Sequence, residues 1–172
     1  MLKLRLSDMS RPNTVWGFAY SRRNLGVTTL YSIEQFDFRY LIFPNNIDRY
    51  LEKIQIERPN LIIGLGMTRT GKSIKVEGIC KNNFGQKQID KDQEINTEVQ
   101  ISASKMIQKL PQGFIFAETI GNSYCNLMSW KIQQLIEQNN LQTKLVFIHI
   151  PKKSDKELLE RGIQSIVGQL QV

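Results

Sequence analysis

Apolar and polar positions alternate along this chain of 172 residues in two distinct periods, and the changes of period predict a succession of strands and helices. The clearest strands are LIIGLG from Leu61, a continuous apolar run ending in glycines, and LVFIHI from Leu145. SIKVEGI alternates with period two, placing Ile74 and Val76 on one face and Lys75 and Glu77 on the other. GFIFAET from Gly113 and YLIF from Tyr40 read as further strands. Helical spacing recurs in Ile47, Leu51 and Ile54, stopped by Pro59, and in Met128, Ile132, Leu135 and Ile136. Val99, Ala103, Met106, Ile107 and Leu110 predict another amphipathic helix, closed by Pro111. A last helix carries Leu158, Leu159, Ile163, Ile166 and Leu170, with Ser154 and Glu157 as a capping box. Residues 81–96 are polar and rich in turn formers, so they predict a surface loop with scope for motion. The first 38 residues carry the weakest pattern: Leu2, Leu4 and Leu6 alternate, and VWGFAY reads as a strand.

Strands alternating with helices imply right-handed crossovers, hence an α/β fold: a single-domain three-layer α/β/α sandwich over residues 1–172 with a mostly parallel central sheet. Ligands of such folds sit beyond the carboxyl ends of the strands. His149, the one histidine of the chain, stands at such an end, inside an otherwise apolar strand. A buried imidazole needs a partner, either a structural hydrogen bond or a working site.

Composition narrows the classes without choosing among them. A net charge of +7 invites nucleic acid as a partner, but Lys and Arg are scattered among acids and no aromatic RNA-binding signature occurs, so no nucleic acid is expected. Lys152, Lys153 and Lys156 read as a solvated face. Two cysteines with no CxxC pair and no His cluster argue against a zinc site and suit a reducing, cytoplasmic setting. No leader-like or membrane-spanning run is present, so no membrane partner is expected.

GMTRTGKS, Gly66 to Ser73, fits the phosphate-loop pattern and follows a buried strand, which raises a nucleotide hydrolase as one reading. A phosphate loop must hand its amides over from a helix N-terminus, whereas the residues that follow are β-branched and alternate. The plainer reading is a turn between strands with Lys72 solvated. Cys125 offers different chemistry. It follows a strand and a Gly-Asn-Ser turn, inside the first turn of a helix capped by Asn122 or Ser123, where unpaired amides and the helix dipole stabilise a thiolate. The structural alternative, a small buried hydrophobe, suits Cys80. One crossover unit brings Cys125, opening a helix, and His149, ending the next strand, to the same rim of the sheet. A third group must orient the imidazole; Glu77 is the first choice and Glu118, also ending a strand, its rival.

These residues resemble the pyroglutamyl peptidases, cysteine peptidases that remove an N-terminal pyroglutamate from peptides. FIHIP, residues 147–151, matches the family's F-I-H-V/I-P segment, whose histidine is catalytic. GNSYCN, residues 121–126, is similar to the family's A-G-T-Y-x-C-N around its nucleophile, with the tyrosine displaced by one place and Trp130 where an aromatic is usual. LIIGLG followed by IKVE, with Asn82 downstream, resembles the strand, glycine turn and E-R-x-A-x-N segment that carries the catalytic acid. The resemblance, covering about residues 40–170, implies a triad of Cys125, His149 and Glu77, with the Tyr124 and Cys125 amides as oxyanion donors. It makes GMTRTGKS a counterpart of the family's glycine-rich turn, with Arg69 near the site, and Asn82 a further candidate for substrate binding. The family's N-terminal G-F-x-P-F loop walls the pyroglutamate ring. Here Gly17, Phe18 and Tyr20 echo it without its Pro-Phe part, and Gly78 replaces the Arg expected after the acid. Residues 1–38 diverge from the family, and the chain is shorter than a typical member. The expectation is therefore a cytoplasmic cysteine exopeptidase acting on peptides with a blocked N-terminus, needing neither metal nor cofactor and allowing for homo-oligomers. The divergent loop keeps open a catalytically altered relative that serves as a binding module.

Overall fold

The computed structural model describes residues 14–20, 25–69 and 71–171. The Leu2, Leu4 and Leu6 alternation lies outside them. The elements run β1 (Val15–Ala19), α1 (Leu25–Ser32), β2 (Phe38–Leu41), α2 (Ile47–Glu57), β3 (Leu61–Thr68), β4 (Ile74–Lys81), β5 (Glu98–Gln100), β6 (Phe114–Thr119), α3 (Tyr124–Gln138), β7 (Lys144–Pro151) and α4 (Lys156–Leu170).

The strands form one mostly parallel sheet in the order β2-β1-β3-β7-β4-β5, with β6 also paired to β4. β2, β1, β3 and β7 are mutually parallel, whereas β4 runs antiparallel to β7. Strand periodicity divides the side chains between two cores. Ile63, Leu65, Val146, Ile148 and Ile150 face α1 and α4, packing on Leu30, Ile33, Leu159, Ile163 and Ile166. Ile62, Leu145 and Phe147 face α2 and α3, packing on Tyr50, Ile54, Met128, Ile132 and Ile136. The expected three layers are thus present, with the strands of the middle layer apolar on both sides.

Three local expectations are corrected. Residues 99–110 form no α-helix: β5 pairs antiparallel with β4 and is followed by a 3-10 turn, Ser104–Met106. Ile101 donates its amide to Gly78 and Ala103 donates to Leu145, so this backbone is satisfied by the sheet. Val99, Ile101 and Ala103 alternate with period two as well as fitting a helical stripe, and the β-branched pair tips the choice to strand. The last helix is capped by Asp155, whose carboxylate accepts the Leu158 amide at 2.7 Å, and not by Ser154, whose hydroxyl has no partner among the described residues. α1 was unmarked by any apolar stripe; its LGVTTLYS is a poor helix former held by packing of Leu30 into the first core. No helix among the described residues is long and apolar enough to cross a membrane.

Candidate active site

The site follows from side-chain parity in three strands. In β7, Leu145 and Phe147 face α3, so His149, two residues on, faces the same way at the carboxyl end of the strand. In β4, Ile74 and Val76 belong to the opposite core, which turns Lys75 and Glu77 toward α3 as well. Lys75 pairs with His149 and Glu77 with Phe147, which makes Glu77 a diagonal neighbour of the imidazole, within reach of a long side chain. Its Oε1 lies 2.6 Å from His149 Nδ1. A carboxylate can only accept, so Nδ1–H donates and Nε2 is left for other work. The polar side of β4 is therefore not solvated: Glu77 is 2% exposed and His149 13%.

Cys125 reaches this pair from above. Gly121 at φ 92° turns the chain after β6, and α3 then starts with Ser123 as its N-cap, without a side-chain cap bond. The first intrahelical bond runs from the Leu127 amide to Ser123, so the Tyr124, Cys125 and Asn126 amides precede it. Asn126 ties this turn down: its Oδ1 accepts the Lys81 amide at 2.8 Å, and its Nδ2 donates to the Lys81 and Asn83 carbonyls. Gly66 pairs with His149 across β3 and β7, and a Cβ built on Gly66 would stand 2.9 Å from the Cys125 sulfur. The sulfur thus occupies the space a side chain would take, beside the imidazole.

The electrostatics couple these groups. Burial pushes the His149 imidazole down, but hydrogen bonding and charge from Cys125 and then Glu77 outweigh it and lift the group to about 9. The Tyr20 hydroxyl lies 3.3 Å from the Cys125 sulfur, and burial followed by the charge of Cys125 raises the phenol above its ordinary value. Glu77 Oε2 is buried without a hydrogen-bond partner among the described residues.

The structure thus brings together Cys125, His149 and Glu77, with the Tyr124 amide beside them, and adds the Tyr20 hydroxyl. Other candidates lie elsewhere. Gly17 is turned to the opposite core, where a Cβ would meet Leu30 at 2.5 Å, and Phe18 is buried against Phe147 and Tyr50. Neither is open to a substrate. Asn82 clamps the 82–97 loop: its side chain accepts the Ile89 and Asp90 amides and donates to the Asp90, Gln93 and Glu94 carbonyls, so its polar capacity is used within the chain. That loop is accordingly fastened rather than free. Arg69 is exposed just past β3. Glu118 is exposed on β6 and lines a separate cavity of ≈ 400 Å³ with Gly78 and Phe116, on the far side of β4 from His149. GMTRTGKS lies between β3 and β4, which follow each other without a helix among the described residues, and Lys72 is exposed, so the helix N-terminus a phosphate loop needs is not seen there. Cys80 is fully buried, its thiol on the Val99 carbonyl, and burial pushes it up to about 12.

Two contributors, Gly66 and Asn126, escaped sequence reasoning, and Tyr20 was expected only as part of the ring-walling loop. Gly66 had a signal, since a strand glycine marks a close approach. Asn126 gave one in being polar beside a buried cysteine. For Tyr20 the echo of the family loop pointed to the site, but nothing in the sequence pointed to its contact with the sulfur.

The fold is that of the pyrrolidone carboxyl peptidases. The pyroglutamyl peptidase I from Bacillus amyloliquefaciens superposes with a TM-score of 0.78 at 12% identity, covering 93% of this chain and 95% of that one. For the pyrrolidone carboxyl peptidase from Thermococcus litoralis the TM-score is 0.74 at 15% identity, covering 92% and 93%. In sequence, a pyrrolidone-carboxylate peptidase from Thermoanaerobacter sp. (strain X514) is 26% identical over 127 residues, 64% of this chain. The match spans 62% of that relative's length. No family model matches the chain.

Proposed function

We propose that this chain is a cysteine peptidase that removes N-terminal pyroglutamate from peptides, with Cys125 as nucleophile, His149 as acid and base, and Glu77 orienting the imidazole. The observation that carries this reading is His149 with Glu77 at 2.6 Å on one side and, level with it across β3, the Gly66 gap that the Cys125 sulfur fills. The Cys125 thiolate attacks the amide carbon next to the pyroglutamyl ring, and the carbonyl electron pair moves to oxygen. Amides of Tyr124 and Cys125 at the helix start stabilise that oxyanion. The imidazolium gives its proton to the leaving amine as the C–N bond breaks, and the neutral ring then draws a proton from the water that hydrolyses the thioester. Glu77, buried beside the ring, stabilises the imidazolium throughout. Each step uses groups of the chain itself. The names of the relatives in sequence and fold support the substrate class.

The test is hydrolysis of a pyroglutamyl fluorogenic amide by purified protein, with Cys125→Ala as control. Turnover abolished by the substitution is the expected result; turnover that survives it removes Cys125 from the mechanism.

A second reading, a relative altered in its substrate, is favoured by one observation. The apolar pocket between Tyr20, Ile42, Pro44, Tyr124 and Met128 holds only ≈ 10 Å³, room for about one water. Under this reading the pyroglutamyl amide is not hydrolysed, yet iodoacetamide still labels Cys125 at neutral pH.

A further inference from the structure

We propose that the Tyr20 hydroxyl is a catalytic hydrogen-bond donor, holding the Cys125 sulfur once it has ionised and the substrate's carbonyl oxygen once that sulfur has attacked. The proposal rests on the reading of Cys125 as an acyl-accepting nucleophile and adds a residue to it.

Register explains how a residue of the far strand reaches the sulfur. β1 pairs with β3 through Phe18 to Gly64 and Ala19 to Leu65, so the next step along both strands sets Tyr20 level with Gly66. Gly66 is in turn level with His149. Tyr20, Gly66 and His149 therefore form one row across the sheet, on the side covered by α3. The central member of the row lacks a side chain, and Cys125 descends into that gap. The phenol oxygen lies 3.3 Å from the sulfur and accepts from the thiol; when the thiol ionises, the same contact lets the phenol O–H donate to the thiolate. Cys125 opens α3 just after its N-cap Ser123, so the phenol's contact with the sulfur sets the ring's polar end beside the free helix amides. Tyr124, 6.0 Å from Tyr20 between ring centroids, holds the apolar part of the ring.

The chemistry suits a donor rather than a base. A half-buried phenol with a thiolate beside it keeps its proton, so it donates without transferring. On attack the C–S bond forms and the carbonyl π pair moves to oxygen, an atom two bonds from the sulfur and close to where the phenol already points. The hydrogen bond shifts from sulfur to oxygen; the proton lost to the amine remains the one on His149. In the family's G-F-x-P-F loop a proline follows at this place, so the donor belongs to this chain and not to the motif it echoes.

Two measurements on the intact chain and on Tyr20→Phe test this. The first is the pH profile of Cys125 alkylation by iodoacetamide, read at Cys125 by mass spectrometry. Besides Tyr20, the titratable groups facing the sulfur are His149 with Lys75 and Glu77 behind it and Tyr124 on α3; all are common to both proteins. Loss of a hydrogen bond to the thiolate moves the midpoint up by about one pH unit. A midpoint that stays in place overturns the proposal. The second is turnover of the pyroglutamyl amide, where loss of an oxyanion donor lowers kcat by about 10²-fold with little change in KM. A shifted midpoint with unchanged kcat overturns the oxyanion role. Should Tyr20→Phe fail to fold, replacing Tyr20 by a ring-fluorinated tyrosine keeps packing and strengthens the donor. The midpoint then moves down, and an unmoved one again overturns the proposal. Alkylation needs no substrate, so a chain inactive on the amide refutes the peptidase reading while the midpoint still decides whether Tyr20 holds the sulfur.

Discussion

Substituting Gly66 by alanine adds one methyl group at the place where β3 passes beneath the Cys125 sulfur. The backbone there takes no left-handed φ, so the effect is steric alone. The new Cβ would lie 2.9 Å from the Cys125 sulfur and 2.9 and 3.0 Å from two carbons of the Phe147 ring. Ordinary contacts of such atoms begin at roughly 3.5 Å, so something must retreat by about half an ångström or more. Phe147 has little freedom, being fully buried, edge-on to His149 at 5.2 Å and against Phe18 at 6.0 Å. Any movement of that ring carries the imidazole with it. The sulfur is the easier group to displace, and it is displaced away from His149. Overpacking of this size costs about 1–3 kcal/mol of stability, and a misplacement approaching 1 Å costs about 10²-fold in rate. Denaturant unfolding gives the first quantity; iodoacetamide labelling of Cys125 and turnover of the pyroglutamyl amide give the second. A Gly66→Ala protein as stable as wild type and labelled at the wild-type rate would show that the sulfur does not use this gap.

Other expectations follow from the same contacts. Glu77→Gln keeps the shape of the acid but removes the charge that stabilises the imidazolium, so turnover drops by about 10²-fold or more; steady-state kinetics at fixed pH check this, and undiminished kcat would free Glu77 of any role. The His149 imidazole is raised from 6.5 to about 9 in the folded chain. Its stabilising contribution is therefore complete below pH 6.5 and is lost as pH rises through about 9, by up to about 3 kcal/mol. Urea unfolding across that window reads the loss, and His149→Ala flattens it. Asn82→Ala strips five hydrogen bonds from the 82–97 loop, which predicts faster proteolytic nicking within it and a loss of about 2–3 kcal/mol, while limited proteolysis at the wild-type rate would contradict the clamp.

What was legible in the chain depended on how local the signal was. LIIGLG and LVFIHI announced buried strands because both their faces are apolar, and helix α3 declared itself through Met128, Ile132 and Ile136. Cys125 and His149 could be matched because a helix start and the next strand end are joined by one crossover, a rule of chain topology rather than of packing. The acid was harder. Glu77 and Glu118 both sit on strands, and only the antiparallel return of β4 onto β7 places one beside the imidazole and leaves the other on β6. Antiparallel pairing inside a sheet of crossover strands leaves no trace in hydrophobic period. Residues 99–110 failed for a related reason: their spacing serves a strand and a helix equally, and hydrogen bonds to β4 and β7 decided between them. The sulfur contacts of Tyr20 and Gly66 are invisible for the same cause, since each comes from a residue on another element.

The lone histidine in an apolar strand can now be weighed by cost. A structural imidazole needs one hydrogen bond to a carbonyl or hydroxyl, and either would leave the core neutral. His149 instead has a carboxylate that is 2% exposed, with one oxygen on the ring and the other without a partner among the described residues. Placing an ionised carboxylate there costs several kcal/mol, and removing the imidazolium beside it takes away its hydrogen-bonded counter-charge. Selection for stability alone favours an apolar pair of the same volume at these positions. Keeping the charged pair, with a cysteine sulfur brought to the ring through a gap in β3, spends stability on an imidazole that stays protonated near neutral pH beside a thiol. That state serves proton transfer and nothing in the packing calls for it, which is why the functional reading of His149 outweighs the structural one.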